Sequence, residues 1–315
     1  MTQADLGMLG TASAEEATAF FASVAPETLV EAVRQTSDAE LLKLIARDEV
    51  RPAAVAGILT RLHEYAIAER LADLHGVVRF DLERRGALLE RQGLCFDNGA
   101  MRLLPDVSGT APVDVVLKTS LLRFVRLISG ERNAGLEYLS GKLDIEGDAM
   151  LALAVGGIFR VPGTGQVAMD PTTLDPVDVA TALGGVRADH LKKVMSSGFR
   201  PVVLGEIFRR LPDFVNPRKA AKLHLTVGFR LLGNPSGEID RYVVRIERGA
   251  ATVTSGADQD GERDATVTCE GHDYLRLATG HLNPVTGVLK GQLKVKGDKA
   301  KALQLSSVID IPQAR

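Results

Sequence analysis

The feature that most constrains this chain is an internal repeat with a period of about 150 residues. Residues of the first half recur in the second half at a spacing of 149 or 150 positions, as in the pairs Arg51 and Arg200, Leu74 and Leu223, Gly141 and Gly291, and Asp148 and Asp298. Periods of 20 to 50 residues are typical of solenoids, whereas about 150 residues is the size of a complete globular domain. The repeat therefore predicts two copies of one domain.

The composition is that of a globular protein and argues against several functional classes. Hydrophobic residues make up 45% and charged residues 25% of the 315 positions, and the net charge is −2. Near neutrality, the lack of Trp and an aromatic content of 4% argue against nucleic acid, which needs a basic stripe and stacking rings. No apolar run approaches the roughly 20 residues that span a bilayer.

The N-terminus and the cysteines indicate the compartment. The first 20 residues contain no Lys or Arg, so they lack the basic region of a secretory signal. Cys95 and Cys269 fall in different copies and neither belongs to a CxxC motif, which argues against a disulfide or zinc framework. We therefore predict a cytoplasmic protein whose two thiols are core residues.

Each copy is predicted to place helices before strands. Ser37–Glu40 is a capping box that starts one amphipathic helix, and a second helix starts at Pro52 in the first copy and at Pro201 in the second. Apolar and polar residues then alternate over residues 78–82 and 227–231, as in strands with one buried face. Hairpins, further strands and short helices follow in the same order in both copies.

Residues 156–176 separate the copies, because Pro and Gly interrupt every periodic pattern there. Within this frame we assign an N-terminal helical extension, a first domain, a linker and a second domain, at residues 1–24, 25–160, 161–173 and 174–315.

The last part of the second copy resembles the sterol carrier protein type 2 family. Residues 275–309 read LRLATGHLNPVTGVLKGQLKVKGDKAKALQLSSVI, with the family's Asn-Pro pair, Lys-Gly-x-Leu-Lys-Val-x-Gly strand and final helix. The first copy keeps the glycines but has Ala134 instead of the proline, so its membership follows mainly from the repeat. Residues 206–224 resemble the extension of bacterial members. The resemblance covers roughly residues 25–160 and 174–312.

This resemblance implies a fold and a function. The expected fold is α+β, with two copies of a five-stranded, mainly antiparallel sheet covered by helices, each preceded by a helical extension. The expected function is non-enzymatic binding and transfer of a fatty acid, an acyl-CoA or a sterol in an apolar tunnel between sheet and helices.

The candidate lining residues are apolar positions on one face of each sheet and on its covering helices. In the second copy they are Phe229, Leu231, Val244, Ile246, Val267, Leu275, Ala278, Leu282, Val288, Leu289 and Leu303. In the first copy they are Phe80, Leu82, Leu94, Phe96, Val116, Phe124, Ile128, Leu136, Leu139 and Leu153. The same residues would also suit a filled core. We expect the working tunnel in the second copy, which keeps the family pattern more fully, while the first could be purely structural.

Motifs that carry chemistry are absent from the sequence. We find no GxSxG, Walker loop, HExxH, CxxC or strand followed by GxGxxG. His75 and His224 share a repeat position just before a strand, where a structural hydrogen bond is the simpler role. Asp258 begins a segment like a calcium loop, but that segment lacks the Glu at its twelfth position. We therefore predict no catalytic residue, cofactor or metal site.

The charge around the last strand reverses between the copies. The second copy has Lys290, Lys294, Lys296, Lys299 and Lys301 where the first has Ser140, Asp144, Glu146, Ala149 and Leu151. A solvated surface explains this contrast most simply. Alternatively, lysines such as Lys294 and Lys296 meet an anionic head group, CoA phosphates or, transiently, an anionic membrane surface, or opposite charges dock the two domains.

Two other functional classes stay open at this point. The domains could form an interaction module for an enzyme of lipid or sterol metabolism, or an enzyme acting on an acyl or steroid substrate. A continuous apolar tunnel favours the carrier, and filled cores with an exposed apolar patch favour the interaction module. A concave cluster of ionisable groups favours the enzyme.

Overall fold

The chain divides after Asp170 into two units, each built around its own five-stranded sheet. The structure is a computed structural model that describes residues 5–104, 107–163, 165, 167–256, 261–312 and 314. The division falls inside the predicted linker. Two mixed sheets with helices confirm the predicted α+β class. Within the described part of the chain, no helix is both long and apolar enough to span a bilayer.

The helices of the first unit form two groups along the chain, one before its first strand and one after its fourth strand. They are α1 (Ala14–Ser23), α2 (Pro26–Gln35), α3 (Asp38–Ile45), α4 (Arg51–Arg61), α5 (Ala68–Leu71), α6 (Leu121–Ile128), α7 (Ala134–Leu139) and α8 (Ala149–Ile158). The strands are β1 (Gly76–Arg84), β2 (Ala87–Asp97), β3 (Ala100–Leu104), β4 (Val115–Ser120) and β5 (Leu143–Gly147). They lie in the order β3-β2-β1-β4-β5, and β1 pairs with β4 in parallel while the other neighbours are antiparallel.

The second unit repeats this order. Its helices are α9 (Pro176–Leu183), α10 (Ala188–Met195), α11 (Arg200–Arg210), α12 (Pro217–Ala220), α13 (Gly271–Ala278), α14 (Pro284–Leu289) and α15 (Lys299–Val308). Its strands are β6 (His224–Leu232), β7 (Asp240–Glu247), β8 (Ala250–Ser255), β9 (Ala265–Glu270) and β10 (Lys294–Gly297). The order β10-β9-β6-β7-β8, with β6 and β9 parallel, is the topology of the first sheet.

Identical residue types start corresponding helices in the two units. Asn133 and Asn283 cap α7 and α14, and Asp148 and Asp298 cap α8 and α15. In each case the side-chain oxygen accepts backbone N–H groups of the first turn, which have no partner inside the helix. The internal repeat of the sequence is therefore in part a repeat of helix starts.

The N-terminal helices form an apolar cluster within the first unit. Leu9, Phe21 of α1 and Leu41 of α3 are buried in it, and Leu122 and Val125 of α6 pack against it. The segment predicted as a separate extension thus contributes to the same packing as the helices that follow it.

One ion pair recurs in both units and joins a helix start to the sheet. Arg200 Nε donates to Asp240 Oδ2 at 2.7 Å, and the Nη atoms donate to three backbone carbonyls at the ends of α10 and β6. In the first unit Arg51 Nε donates to Glu90 Oε1 at 2.7 Å. The Arg200 side chain is 2% exposed and that of Arg51 is 12% exposed, whereas Asp240 is 28% exposed and Glu90 is 11% exposed. The second pair therefore has the more buried arginine, and the first pair has the more buried carboxylate.

We expect Arg200→Leu to destabilise the second unit by about 3 kcal/mol, because Asp240 loses its partner and three carbonyls lose their donor. The matched change Arg51→Leu should cost less, because Arg51 donates to one backbone carbonyl whereas Arg200 donates to three. Urea unfolding measures the free energy of unfolding, and hydrogen-exchange mass spectrometry locates the loss. A cost below about 1 kcal/mol at Arg200 would show that the pair behaves as a surface salt bridge.

Candidate functional site

The inner face of the first sheet is the face that carries Val78, Phe80 and Leu82 of β1, which are all buried. Leu94 of β2 pairs with Val78 and so lies on the same side, as does Phe96 two residues further along β2. Helix α6 covers this face, since the rings of Phe80 and Phe124 meet edge to face with centroids 5.8 Å apart. The structure therefore brings five predicted lining residues together, namely Phe80, Leu82, Leu94, Phe96 and Phe124.

Val116 lies on the opposite face of the first sheet, so the prediction that it lines the inner face is wrong. The register pairs Val116 with Arg79, and it pairs Leu117 with Phe80. Leu117 thus holds the inner position that Val267 holds in the second sheet. This strand is apolar at three successive positions, so its sequence does not reveal which side chains point inward.

The helices supply the remaining predicted residues of the first unit. Leu139 of α7 is buried, while Ile128 of α6, Leu136 of α7 and Leu153 of α8 are half-buried. All three helices contact the sheet. The first unit therefore keeps apolar surface on these helices that its own core does not bury completely.

Four aromatic rings fill the space over the centre of the second sheet. Tyr242 stacks on Phe208 with centroids 3.7 Å apart, and Phe208 stacks on Tyr274 at 4.9 Å. The ring of Phe229 lies edge-on to Phe208 at 5.8 Å and to Tyr274 at 5.4 Å. Burial raises the pKa of Tyr274 and of Tyr242, so both phenols are protonated at neutral pH. This aromatic cluster holds α11 and α13 on the sheet.

The other predicted residues of the second unit divide into buried, half-buried and exposed groups. Buried are Leu231, Val244, Ile246, Val267, Leu275 and Leu282, and half-buried are Ala278 and Val288. Leu289 and Leu303 are 82% and 40% exposed, so the prediction that they cover the sheet is wrong. The buried residue of α14 is Gly287, and those of α15 are Leu305 and Val308. Residues two positions apart on a helix point about 200° apart. Leu289, two residues from Gly287, and Leu303, two residues from Leu305, therefore point away from the buried side.

Sequence reasoning missed the residues that most distinguish the two interiors. Phe208, Tyr242 and Tyr274 were not predicted as lining residues. For Tyr242 the sequence did carry a signal, because Tyr242, Val244 and Ile246 are two residues apart and so lie on one side of β7. Gln92 was also missed. It lies opposite Phe80, just as Tyr242 lies opposite Phe229 in the second sheet.

The outer face of the first sheet carries paired charges. Asp81 Oδ1 accepts from Arg91 Nε at 2.7 Å, and Arg79 Nε lies 3.1 Å from the same oxygen. Burial raises the pKa of Asp81, but the hydrogen bond from Arg91 and the charge of Arg79 outweigh burial, so that pKa lies below its usual value. Lys118 pairs with Glu146 at 2.9 Å. Each of these charges therefore has an opposite charge beside it.

The outer face of the second sheet is basic. Arg241, Arg230, Thr268 and Lys294 lie side by side across β7, β6, β9 and β10 in the register. Lys296 lies on the same side of β10, two residues further on, and both lysines are exposed. We call Arg230, Arg241, Lys294 and Lys296 the basic face of the second unit.

A polar cleft of about 440 Å³ opens in the second unit between α10 and the start of α13. It is lined by Lys192, Met195, Ser196, Arg200, Leu232, Gly233, Glu270, Gly271, His272 and Asp273. A Cβ atom at Gly271 would lie 2.6 Å from Arg200 Nη1, so a side chain at this helix start would displace the guanidinium. The first unit has Leu121 at the same repeat position.

The ionisable groups of the cleft bind mainly to the protein itself. Asp273 Oδ1 accepts from Gln292 at 2.9 Å and from Arg276 at 3.3 Å. Burial lowers the pKa of His272 and outweighs the charge of Asp273, which raises it, while the charge of Lys192 lowers it further. The cleft is a concave polar site that sequence reasoning missed, because α10 and α13 are far apart in the chain.

No group of three His, Cys, Asp or Glu side chains suited to a metal ion is found among the described residues. Asp258 and Asp260, from the segment that resembles a calcium loop, lie outside those residues. Burial raises the pKa of the Cys269 thiol to about 12, and Cys95 is half-buried on the outer face of its sheet.

Comparison with known proteins finds the same relationship for both units. The profile of the SCP-2 sterol transfer family matches residues 57–160 and 204–310, together about two thirds of the chain. Sterol carrier protein 2 of Gallus gallus is 28% identical over 129 residues, which are 41% of this chain and 23% of that protein. This chain thus spans less than a quarter of the length of that curated relative.

Solved structures with detectable similarity include both carriers and an enzyme. The crystal structure of sterol carrier protein 2-like 2 from Aedes aegypti is 22% identical, with a TM-score of 0.29, and the match covers 35% of this chain and 95% of that one. A stereoselective inverting sec-alkylsulfatase from Pseudomonas sp. is 15% identical, with a TM-score of 0.31, and the match covers 51% of this chain and 27% of that one.

We expect Phe208→Ala to destabilise the second unit by about 3–5 kcal/mol, because it removes the ring that lies between two others and leaves a cavity. Phe208→Leu introduces the residue that the first unit has at this position, Leu59, and should cost less. Urea unfolding followed by near-ultraviolet circular dichroism of the tyrosines measures both variants. A loss below about 1 kcal/mol for the alanine variant would contradict a packed aromatic cluster.

Proposed function

Because this chain belongs to the SCP-2 sterol transfer family, we propose that it is a non-enzymatic carrier that holds one apolar molecule between a sheet and its helices. Membership of the family implies binding and transfer of sterols or other lipids. Within that class we propose a fatty acid, an acyl-CoA or a sterol as the cargo. We further propose that the carrier acts in the cytoplasm, in keeping with two free thiols that lie in different units.

The observation that carries this proposal is the apolar inner face present in each unit. Phe80, Leu82 and Phe96 in one unit, and Leu231 and Val244 in the other, are buried against helices that also present apolar side chains. A ligand that buries about ten methylene groups gains on the order of 8 kcal/mol before the cost of ordering is subtracted. The remaining affinity falls near the micromolar range, which suits both loading and release.

The basic face of the second unit supports a second part of the proposal, transient contact with an anionic membrane. Lys294 and Lys296 are exposed, and Arg230 lies in the same row as Lys294. Each Lys or Arg near an anionic bilayer contributes about 1 kcal/mol at physiological salt. A carrier that exchanges its cargo with membranes gains from an attraction of this size, because the attraction remains reversible.

We expect the purified full-length protein to retain a lipid or sterol. Gentle purification followed by native mass spectrometry should show a mass increment, and solvent extraction should release a molecule that can be identified. An added fluorescent fatty acid or sterol should bind with an affinity near the micromolar range, because the inner faces offer apolar surface to one chain or ring system.

Protein without any bound ligand that also fails to bind both fluorescent probes would contradict the carrier function. The interaction module would then be the better interpretation. Capture of a defined enzyme of lipid metabolism by the full chain would support that interpretation.

We expect reversal of both strand lysines, Lys294→Glu with Lys296→Glu, to weaken binding to vesicles of phosphatidylserine and phosphatidylcholine by at least about 30-fold, since two attractive charges are lost and two repulsive charges are gained. Flotation of vesicles at several salt concentrations measures the effect. The matched control, Lys192→Glu with Lys222→Glu, makes the same change of charge on exposed residues outside the sheet. Equal losses in both double variants would indicate a general charge effect and would contradict a role for the basic face.

A further inference from the structure

Gln92 is a polar residue on the inner face of the first sheet, between Glu90 and Leu94 along that side of β2. The register places it opposite Phe80, on the side of the sheet that α6 covers. Its Oε1 atom is buried and accepts no hydrogen bond. Buried acceptors without a partner are rare in folded proteins, because the group has lost water and gained nothing in exchange. The position therefore calls for a donor that the protein itself does not supply.

The nearest polar residue along the same side of the strand is already engaged. Glu90, two residues before Gln92, accepts from Arg51 Nε at 2.7 Å. On the paired strand, Phe80 and Leu82 offer no donor from their side chains. Gln92 thus lies between a closed ion pair and apolar neighbours.

The second unit fills the same position in a different way. Tyr242 stacks on Phe208 at 3.7 Å, and Phe208 stacks on Tyr274 at 4.9 Å. In the first unit the corresponding side chains are Gln92, Leu59 and Phe124, which are smaller at all three positions and form no ring stack around Gln92. In the first unit, an amide and an aliphatic side chain therefore line the space that two of the stacked rings occupy in the second unit.

We propose that Gln92 is the polar anchor of a ligand site in the first unit, and that its ligand is an apolar molecule with a hydroxyl group at the anchored end. A hydroxyl donates to Oε1, and because it also accepts it suits either orientation of the amide. An ionised carboxylate can accept but cannot donate, and it would lose its hydration on burial, so a neutral hydroxyl fits this position better. This inference rests on the proposed carrier function, and it assigns the cargo to the first unit rather than to the second.

Fluorescence titration of the full-length protein tests the proposal. The probes are a fluorescent sterol with a 3-hydroxyl group and the same sterol without that group, whose signal no tryptophan of the protein obscures. We expect the wild type to bind the hydroxylated sterol about tenfold more tightly. In Gln92→Leu this preference should vanish, while the deoxysterol binds at least as tightly as before. Competition with 1-hexadecanol distinguishes a sterol from a long-chain alcohol as the cargo.

The control is Tyr242→Leu, the matched change in the second unit, which should leave the tenfold preference intact. Thermal melting of the unliganded protein checks folding, and Gln92→Leu should be at least as stable as the wild type, since an unpartnered polar group is removed. A preference that survives Gln92→Leu, or that disappears in a folded Tyr242→Leu, would overturn this inference while leaving the carrier function standing. Failure of the wild type to bind either sterol or the alcohol would contradict the carrier function itself.

Discussion

A buried arginine paired with a carboxylate holds the helical layer of each unit on its sheet. Arg51 with Glu90 and Arg200 with Asp240 join the first residue of a long helix to the second strand of the sheet. Eight residues further along the same helix, Leu59 or Phe208 lies over the inner face. Because each pair is largely shielded from water, its geometry is specific, and the side chain carried above the sheet decides what the interior can hold.

The two units use this common frame for different interiors. In the second unit, aromatic rings pack against one another and occupy the centre of the inner face. In the first unit, the same region contains the amide of Gln92 and keeps half-buried apolar side chains on α6, α7 and α8. Stacked rings gain by packing closely, whereas an unpartnered buried amide gains free energy only when a hydrogen-bond donor reaches it. Duplication of a domain has therefore preserved the fold while its interiors diverged.

The outer faces have diverged as well, through electrostatics. On the first sheet, Arg79 and Arg91 surround the buried Asp81, and Lys118 faces Glu146, so opposite charges neutralise one another locally. On the second sheet, Arg230 and Arg241 are paired across β6 and β7, and the same face carries Lys294 and Lys296 of β10. The sequence already showed the reversal of charge at the last strand. The register showed that two arginines from distant segments extend the same basic surface.

By itself the sequence determined the repeat, which follows from comparing its two halves. It also determined the order of the elements, the capping box at Ser37 and the α+β class, because these depend on residues that are close together in the chain. Most residues of the inner faces also followed from alternation along single strands. Only the tertiary structure decided which face Val116 occupies, why Leu289 is exposed, and how Phe208 reaches Tyr242. Each of these depends on strand register or on contact between distant segments, and no pattern within one segment carries that information.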